Sequence, residues 1–167
     1  MLKHSSGILV YRYSQGEIQV LLCHMGGPYW KDVEFGSWSI PKGESRNEKS
    51  IDAALREFQE ETSFQVKKDN LQFLGSKKQT NHKLVTIFIA QDNFDESKAV
   101  SNKFSIEWPK GSGILKEFPE MDRAEWMNLN DAKKKILNGQ VYFINKLERT
   151  LKNDSKENNH LCFGYFY

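Results

Sequence analysis

Two β-branched and aromatic runs, Gly7 to Tyr13 and Ile18 to Cys23, flank the turn-forming Ser14 to Gly16 and predict a β-hairpin. His24 to Phe35 carries Gly26, Gly27 and Pro28 and reads as a loop, and Trp38 to Ile40 reads as a short strand running into Pro41. The apolar period then lengthens. Ile51, Ala54, Leu55, Phe58 and Thr62 recur at helical spacing and predict an amphipathic helix capped at Ser50. Leu71 to Ser76 and Leu84 to Ala90 return to strand character, Asp92 to Asn102 reads as an exposed polar connection, and Ala124 to Leu129 as the last strand. Asn130 is expected to cap a helix that stops near Asn138 and Gly139, and Val141, Ile144, Leu147 and Leu151 mark a second one.

Past Leu151 the apolar period ends. The expected organisation is one domain over residues 1–151 and a tail over 152–167 that is polar and linker-like from Lys152 to His160. Its last residues, LCFGYFY, are apolar and fit docking on the domain or on a neighbouring chain equally well.

A chain of 167 residues with 38% hydrophobic content is enough for one core. Its net charge of +2 is too small to argue for a nucleic-acid partner, which wants a clustered basic face. No apolar run of 18 residues and no targeting peptide is evident, so no membrane partner and a cytoplasmic location are expected. Cys23 and Cys162 lack metal-ligand spacing and read as buried or free thiols rather than a disulfide. His4, His24, His82 and His160 form no ligand set.

The chemistry concentrates on the first helix. At about 100° per residue, Glu60 falls near −60° and Glu61 near +40° from Glu57, so the three carboxylates share one narrow face, which the apolar stripe is expected to turn away from the core. Glu57 and Glu61 lack a basic partner three or four residues away within the helix. Two such charges about 5 Å apart repel by roughly 3 kcal/mol at an effective dielectric near 20, so a cleft lined by them wants a cation. All-oxygen ligands suit a hard ion, Mg²⁺ or Mn²⁺. A Glu-rich surface helix that carries no ion fits the same pattern.

The sequence around the helix, GESRNEKSIDAALREFQEETSF, resembles the signature of the Nudix hydrolases: a Gly, five residues, a Glu, seven residues, then R-E-U-x-E-E-x-G-U with U bulky and apolar. Glu48, Arg56, Glu57, Phe58, Glu60, Glu61 and Phe64 match. Two positions depart: only Glu44 to Asn47 separate Gly43 from Glu48, one residue fewer than in the pattern, and Ser63 stands where the signature has Gly. HMGGPYW, GSWSIPKGE, EWPKGSG and EFPEMDRAEW further resemble a bacterial-type group of predicted Nudix pyrophosphohydrolases, over roughly Ser5 to Leu151.

The resemblance implies an α+β fold, with a mixed β-sheet sandwiched between helices. It implies water attack on phosphorus in a nucleoside diphosphate-linked small molecule, with Mg²⁺ as cofactor. Glu57, Glu60 and Glu61 are the implied ligands, Glu57 can serve instead as base, and the carbonyl beside Gly43 joins the metal shell in relatives. Glu120, six residues before Trp126, is a further implied ligand, and Lys42 an implied phosphate contact. Arg56 can reach back to Glu48 and hold the loop on the helix. Trp30, with Tyr29 and Trp108, offers a flat surface for a base, and Lys78, beside Lys77, a weaker substrate contact; core packing and solvated lysines account for them as well. Beside hydrolysis of a nucleoside triphosphate or dinucleoside polyphosphate stand two alternatives: a catalytically silent nucleotide-sensing or scaffold domain, and a pyrophosphohydrolase of RNA 5′ ends. Oligomeric state is not legible in the sequence.

Overall fold

The computed structural model describes residues 2–162, with side chains to residue 154. β1 (Lys3–Ser14) and β2 (Glu17–Met25) pair antiparallel across Gln15 and Gly16, which both take positive φ as a tight hairpin turn requires. β3 (Trp38–Ser39), β4 (Lys42–Glu44) and α1 (Ser50–Thr62) follow. A second hairpin, β5 (Gln72–Thr80) with β6 (Lys83–Gln91), precedes a ribbon of β7 (Lys103–Glu107) and β8 (Leu115–Pro119). β9 (Met121–Asn128), α2 (Leu129–Lys135) and α3 (Val141–Cys162) complete the described chain.

One mixed sheet runs β3-β2-β1-β6-β5, with β4 added to β1 and β9 to β2; the β1–β6 pairing is parallel. Strand alternation sends Ile8, Val10, Leu21 and Phe88 to the face covered by Ala54 and Phe58 of α1. Leu9, Val20, Leu22, Val85 and Ile87 go to the other face, under Ala132 of α2 and Phe143, Ile144 and Leu147 of α3. The result is the expected α+β sandwich. Phe58, 1% exposed, fixes the rotation of α1; its truncation to Ala costs about 3–5 kcal/mol and releases the aim of the glutamates beside it.

Several local expectations are corrected. Lys49, not Ser50, holds the N-cap position of α1, with no side-chain cap bond. Asn128 rather than Asn130 caps α2, its side chain accepting from the Asp131 N–H at 2.9 Å. The run from Lys152 to His160 is not a linker: it continues α3, because a helix anchored by Phe143, Ile144, Leu147 and Leu151 propagates cheaply once nucleated. Beyond Cys162, the remainder of LCFGYFY lies outside the described residues.

The connection from Asp92 to Asn102 contains a single 3₁₀ turn and is pinned by Phe94, which stacks on Phe64 at 4.6 Å and accepts from Trp126 Nε1 at 3.0 Å. Cys23 is a buried thiol whose pKa burial pushes up, and the Cys162 side chain is outside the described set. Among the described residues no helix is long and apolar enough to cross a membrane.

Candidate active site

The acidic face of α1 is covered by β4, so the expectation that it turns away from the interior is revised. Glu57 and Glu61 are each 7% exposed, on the same i, i+4 row as the buried Ala53. Gly43 makes this possible: a β-carbon built there would overlap the Glu57 carboxylate. The N–H of Lys42, one residue earlier, donates to Glu61 Oε2 at 2.9 Å. A three-residue strand thus supplies both a close approach and a hydrogen bond to two glutamates one helical turn apart.

Arg56 gathers the neighbouring charges. Its Nη2 donates to Glu48 Oε1 at 2.7 Å and to the Glu44 carbonyl at 3.0 Å, and its Nη1 donates to Glu57 Oε1 at 2.6 Å and Glu60 Oε2 at 3.2 Å. These partners hold the guanidinium pKa up, Glu48 most strongly, and Glu48 is held below the usual carboxylate range by the same contact. The shortened signature loop closes through Asn47 at φ 53° and an Arg46 N–H to Glu48 Oε1 bond of 3.2 Å. At the other end of α1, Ser63 takes φ 63°, the conformation that favours glycine, while its Oγ donates to the Val100 carbonyl at 2.7 Å.

Glu120 arrives from the corner between β8 and β9. The Asn102 carbonyl accepts from the Glu120 N–H at 2.8 Å and the Asn102 N–H donates to the Glu60 carbonyl at 2.9 Å, so one residue links the two backbones. Partial burial, then the charges of Glu57 and Glu60, push the Glu120 pKa up, while Arg46 opposes the shift. Glu61 is pushed up further, to about 8, chiefly by burial, with Lys42 opposing and Glu57 and Glu120 adding to it. The Lys42 side chain leaves β4 against Gly7. Burial lowers the Lys42 pKa, with Glu61 opposing, Lys83 adding and Glu57 opposing.

Glu48, Arg56, Glu57, Glu60, Glu61, Gly43, Lys42 and Glu120 therefore come together. Trp30 and Lys78 do not join them: Trp30 is half-buried in the loop after Gly27, and Lys78 is exposed on β5 with no hydrogen bond or ion pair to the ridge among the described residues. Sequence reasoning missed Arg46 and Asn102. A basic residue inside the signature loop was a usable signal for Arg46, whereas Asn102 acts through backbone groups that any residue type carries. His24 is buried and bonded through both ring nitrogens, to Asp122 Oδ1 and the Val33 carbonyl, each at 2.7 Å.

Among the described residues no three His, Cys, Asp or Glu side chains converge closely enough to hold an ion as they stand, since Glu57 and Glu60 rest on Arg56 and Glu61 on the Lys42 N–H. The donor set nonetheless fits a hard divalent cation. It is all oxygen, and burial holds the Glu61 carboxyl well away from its ordinary range, a cost that a bound dication offsets.

The family model for the NUDIX domain matches residues 1–147, and the chain belongs to that family, whose activity at the family level is nucleotide pyrophosphate hydrolysis. No curated protein matches the chain. Solved structures that share its fold include a C. elegans Ap4A hydrolase binary complex, with 20% identity and TM-score 0.59 over 91% of this chain and 99% of that one. The NUDIX domain of Shewanella oneidensis NrtR, complexed with ADP ribose, aligns at 13% identity and TM-score 0.62 over 90% and 89% of the two chains. A mutT/nudix family protein from Listeria innocua aligns at 15% identity and TM-score 0.58 over 91% and 95%.

Proposed function

We propose that this chain hydrolyses a phosphoanhydride bond in a nucleoside diphosphate-linked small molecule, a nucleoside triphosphate or a dinucleoside polyphosphate, and that it does so with Mg²⁺ or Mn²⁺. One observation carries this: Glu57 and Glu61 are buried together against Gly43 and Lys42, with Glu60 and Glu120 alongside. Buried carboxylates at such density are costly unless a cation balances them.

Glu57, Glu60 and Glu61 would hold the cation, with Glu120 and the carbonyl beside Gly43 completing the oxygen set. When bound it neutralises phosphate charge and makes a nearby water acidic. Glu57 or Glu60 accepts the proton of the attacking water, and moving that proton to a positioned carboxylate is worth about 10²–10⁴ in rate. Arg56 and Glu48 act as positioning residues that hold the loop and aim Glu57. Lys42, whose charge acts on Glu61 and Glu57, and Arg46, whose charge acts on Glu120, would meet phosphate oxygens beside the ridge. Trp30 and Lys78 carry no role in this scheme.

The test is a nucleotide panel assayed with Mg²⁺ and Mn²⁺ and with chelator, products resolved by mass. Metal-dependent release of phosphate-containing products, lost by about 10²-fold or more in Glu60→Gln and Glu61→Gln, is expected. Inactivity of the wild type across the panel with both metals would overturn it.

A second reading, nucleotide sensing without turnover, draws on the hold that Arg56 already has on Glu57 and Glu60 and on the fold shared with the NUDIX domain solved with ADP ribose. Saturable ADP-ribose binding by calorimetry with no product formed would favour it.

A further inference from the structure

The ridge accounts for the phosphates of a substrate and leaves its other end unassigned. Two cavities flank it. One, of about 530 Å³, lies beside the signature loop and is lined by polar groups such as Lys3, Glu44 and Arg46, with the imidazole of His4 but no indole or phenyl ring. The other, of about 540 Å³, opens between the loop after β2 and the β7–β8 ribbon. Lys31 and Asp32 line it from the loop, Trp108, Lys116 and Phe118 from the ribbon, and Asp122 from the start of β9. Its volume is within the range of small-molecule sites.

The second cavity is tied to the ridge by the chain itself. Pro119 and Asp122, both on its wall, bracket Glu120. The Glu120 carbonyl accepts from the Gly26 N–H at 2.9 Å, and a β-carbon at Gly26 would overlap the Pro119 carbonyl, so loop and ribbon are locked together at this corner. The Trp108 ring is backed edge-on by Tyr29, centroids 5.3 Å apart, and its backbone N–H, not the indole, donates to the Ile114 carbonyl at 2.8 Å and fixes the chain that carries the ring. An indole held in this way beside a phosphate site is a stacking surface.

We propose that this cavity is the nucleobase subsite, that the base stacks on Trp108, and that guanine is preferred. This rests on the reading of the ridge as the phosphate end. The Asp122 side chain is engaged by His24, whereas the side chains of Lys31, Asp32 and Lys116 have no hydrogen bond or ion pair among the described residues and can meet a ligand. The Asp32 carboxylate offers two acceptors side by side, and guanine presents two adjacent donors, N1–H and the exocyclic amino group, next to the O6 acceptor that an ammonium of Lys31 or Lys116 satisfies. Adenine places the lone pair of N1 where guanine has a donor, and a carboxylate repels it.

The experiment uses the full chain and two readouts. Calorimetry with Mg²⁺ and the α,β-methylene analogues of GTP and ATP is expected to give at least about tenfold tighter binding of the guanine analogue. Trp108→Leu should weaken both by about tenfold, and Asp32→Asn should erase the difference between them. Saturation-transfer NMR with guanosine, which lacks phosphate, should show base contacts in wild type and in the Glu60→Gln, Glu61→Gln double variant, and lose them in Trp108→Leu. Equal or tighter binding of the adenine analogue, or affinity unchanged in Trp108→Leu, overturns the subsite even if metal-dependent hydrolysis stands. Guanosine contacts at Trp108 in a protein that hydrolyses nothing would instead uphold the subsite and remove the hydrolase.

Discussion

Gly43 lies directly against the Glu57 carboxylate, with no room between them for a β-carbon. Gly43→Ala must therefore displace Glu57 or push β4 off β1. A misplacement of about 1 Å near reacting groups costs on the order of 10² in rate, and that loss in metal-dependent hydrolysis is expected while the chain remains folded by circular dichroism. Full activity in the variant would mean that Glu57 works from another position.

Arg56 uses its fork on four partners at once: Glu48, Glu57, Glu60 and the Glu44 carbonyl. A lysine ammonium cannot span that set. Arg56→Lys should lose about 10- to 100-fold in kcat/KM, the usual effect of removing a group that orients ligands, and Glu48→Gln should lose less. Equal activity of Arg56→Lys and wild type would reduce the network to a surface ion pair.

Glu61 gives a pH signature in the metal-free protein. Burial raises its folded pKa to about 8, above an unfolded value of about 4.3, so across that window the unfolded chain has released a proton the folded chain still holds. Its contribution to stability is fully present below the unfolded value and is lost as pH rises through the folded one. Wild type and Glu61→Gln should match in thermal stability below about pH 4, and the variant should become the more stable as pH rises, with the full difference above about pH 8. Mg²⁺ binding, which needs the carboxylate, should release a proton and tighten over the same window. A stability difference independent of pH would contradict this.

At Ser63 two effects oppose. The left-handed conformation costs a non-glycine residue about 1 kcal/mol, and the Oγ to Val100 hydrogen bond returns about 0.5–1.5. Ser63→Gly should leave stability within about 0.5 kcal/mol of wild type, whereas Ser63→Ala keeps the strain, loses the bond and should fall by about 1 kcal/mol in urea unfolding.

What the sequence made legible followed local periodicity. The β1–β2 hairpin, the stripe through Phe58 and the row of glutamates are each set by spacing within a few residues. The ribbon of β7 and β8 was not, because β7 alternates only between exposed and half-buried, β8 is exposed over its first three residues, and neither has a fully buried face to mark it. The end of α3 was misread for a related reason: past Leu151 no apolar period remains, and helical continuation there is inherited from the anchored turns before it. Glutamates read as solvent-facing by composition, so the burial of Glu57 and Glu61 was hidden until β4 supplied Gly43 and the Lys42 N–H from outside the helix. The junction at Asn102 is made by backbone atoms and leaves no trace in residue identity.

The α1 ridge is expected to hold dications, and no substrate is expected to be cut without them. Anomalous diffraction from crystals soaked in Mn²⁺ measures this most directly. The predicted result is one or more manganese peaks within about 2.0–2.3 Å of carboxylate oxygens of Glu57, Glu60 and Glu61, with Arg56 drawn back toward Glu48. Manganese bound elsewhere, with Glu57 and Glu60 still on Arg56 and Glu61 still on the Lys42 N–H, would contradict it.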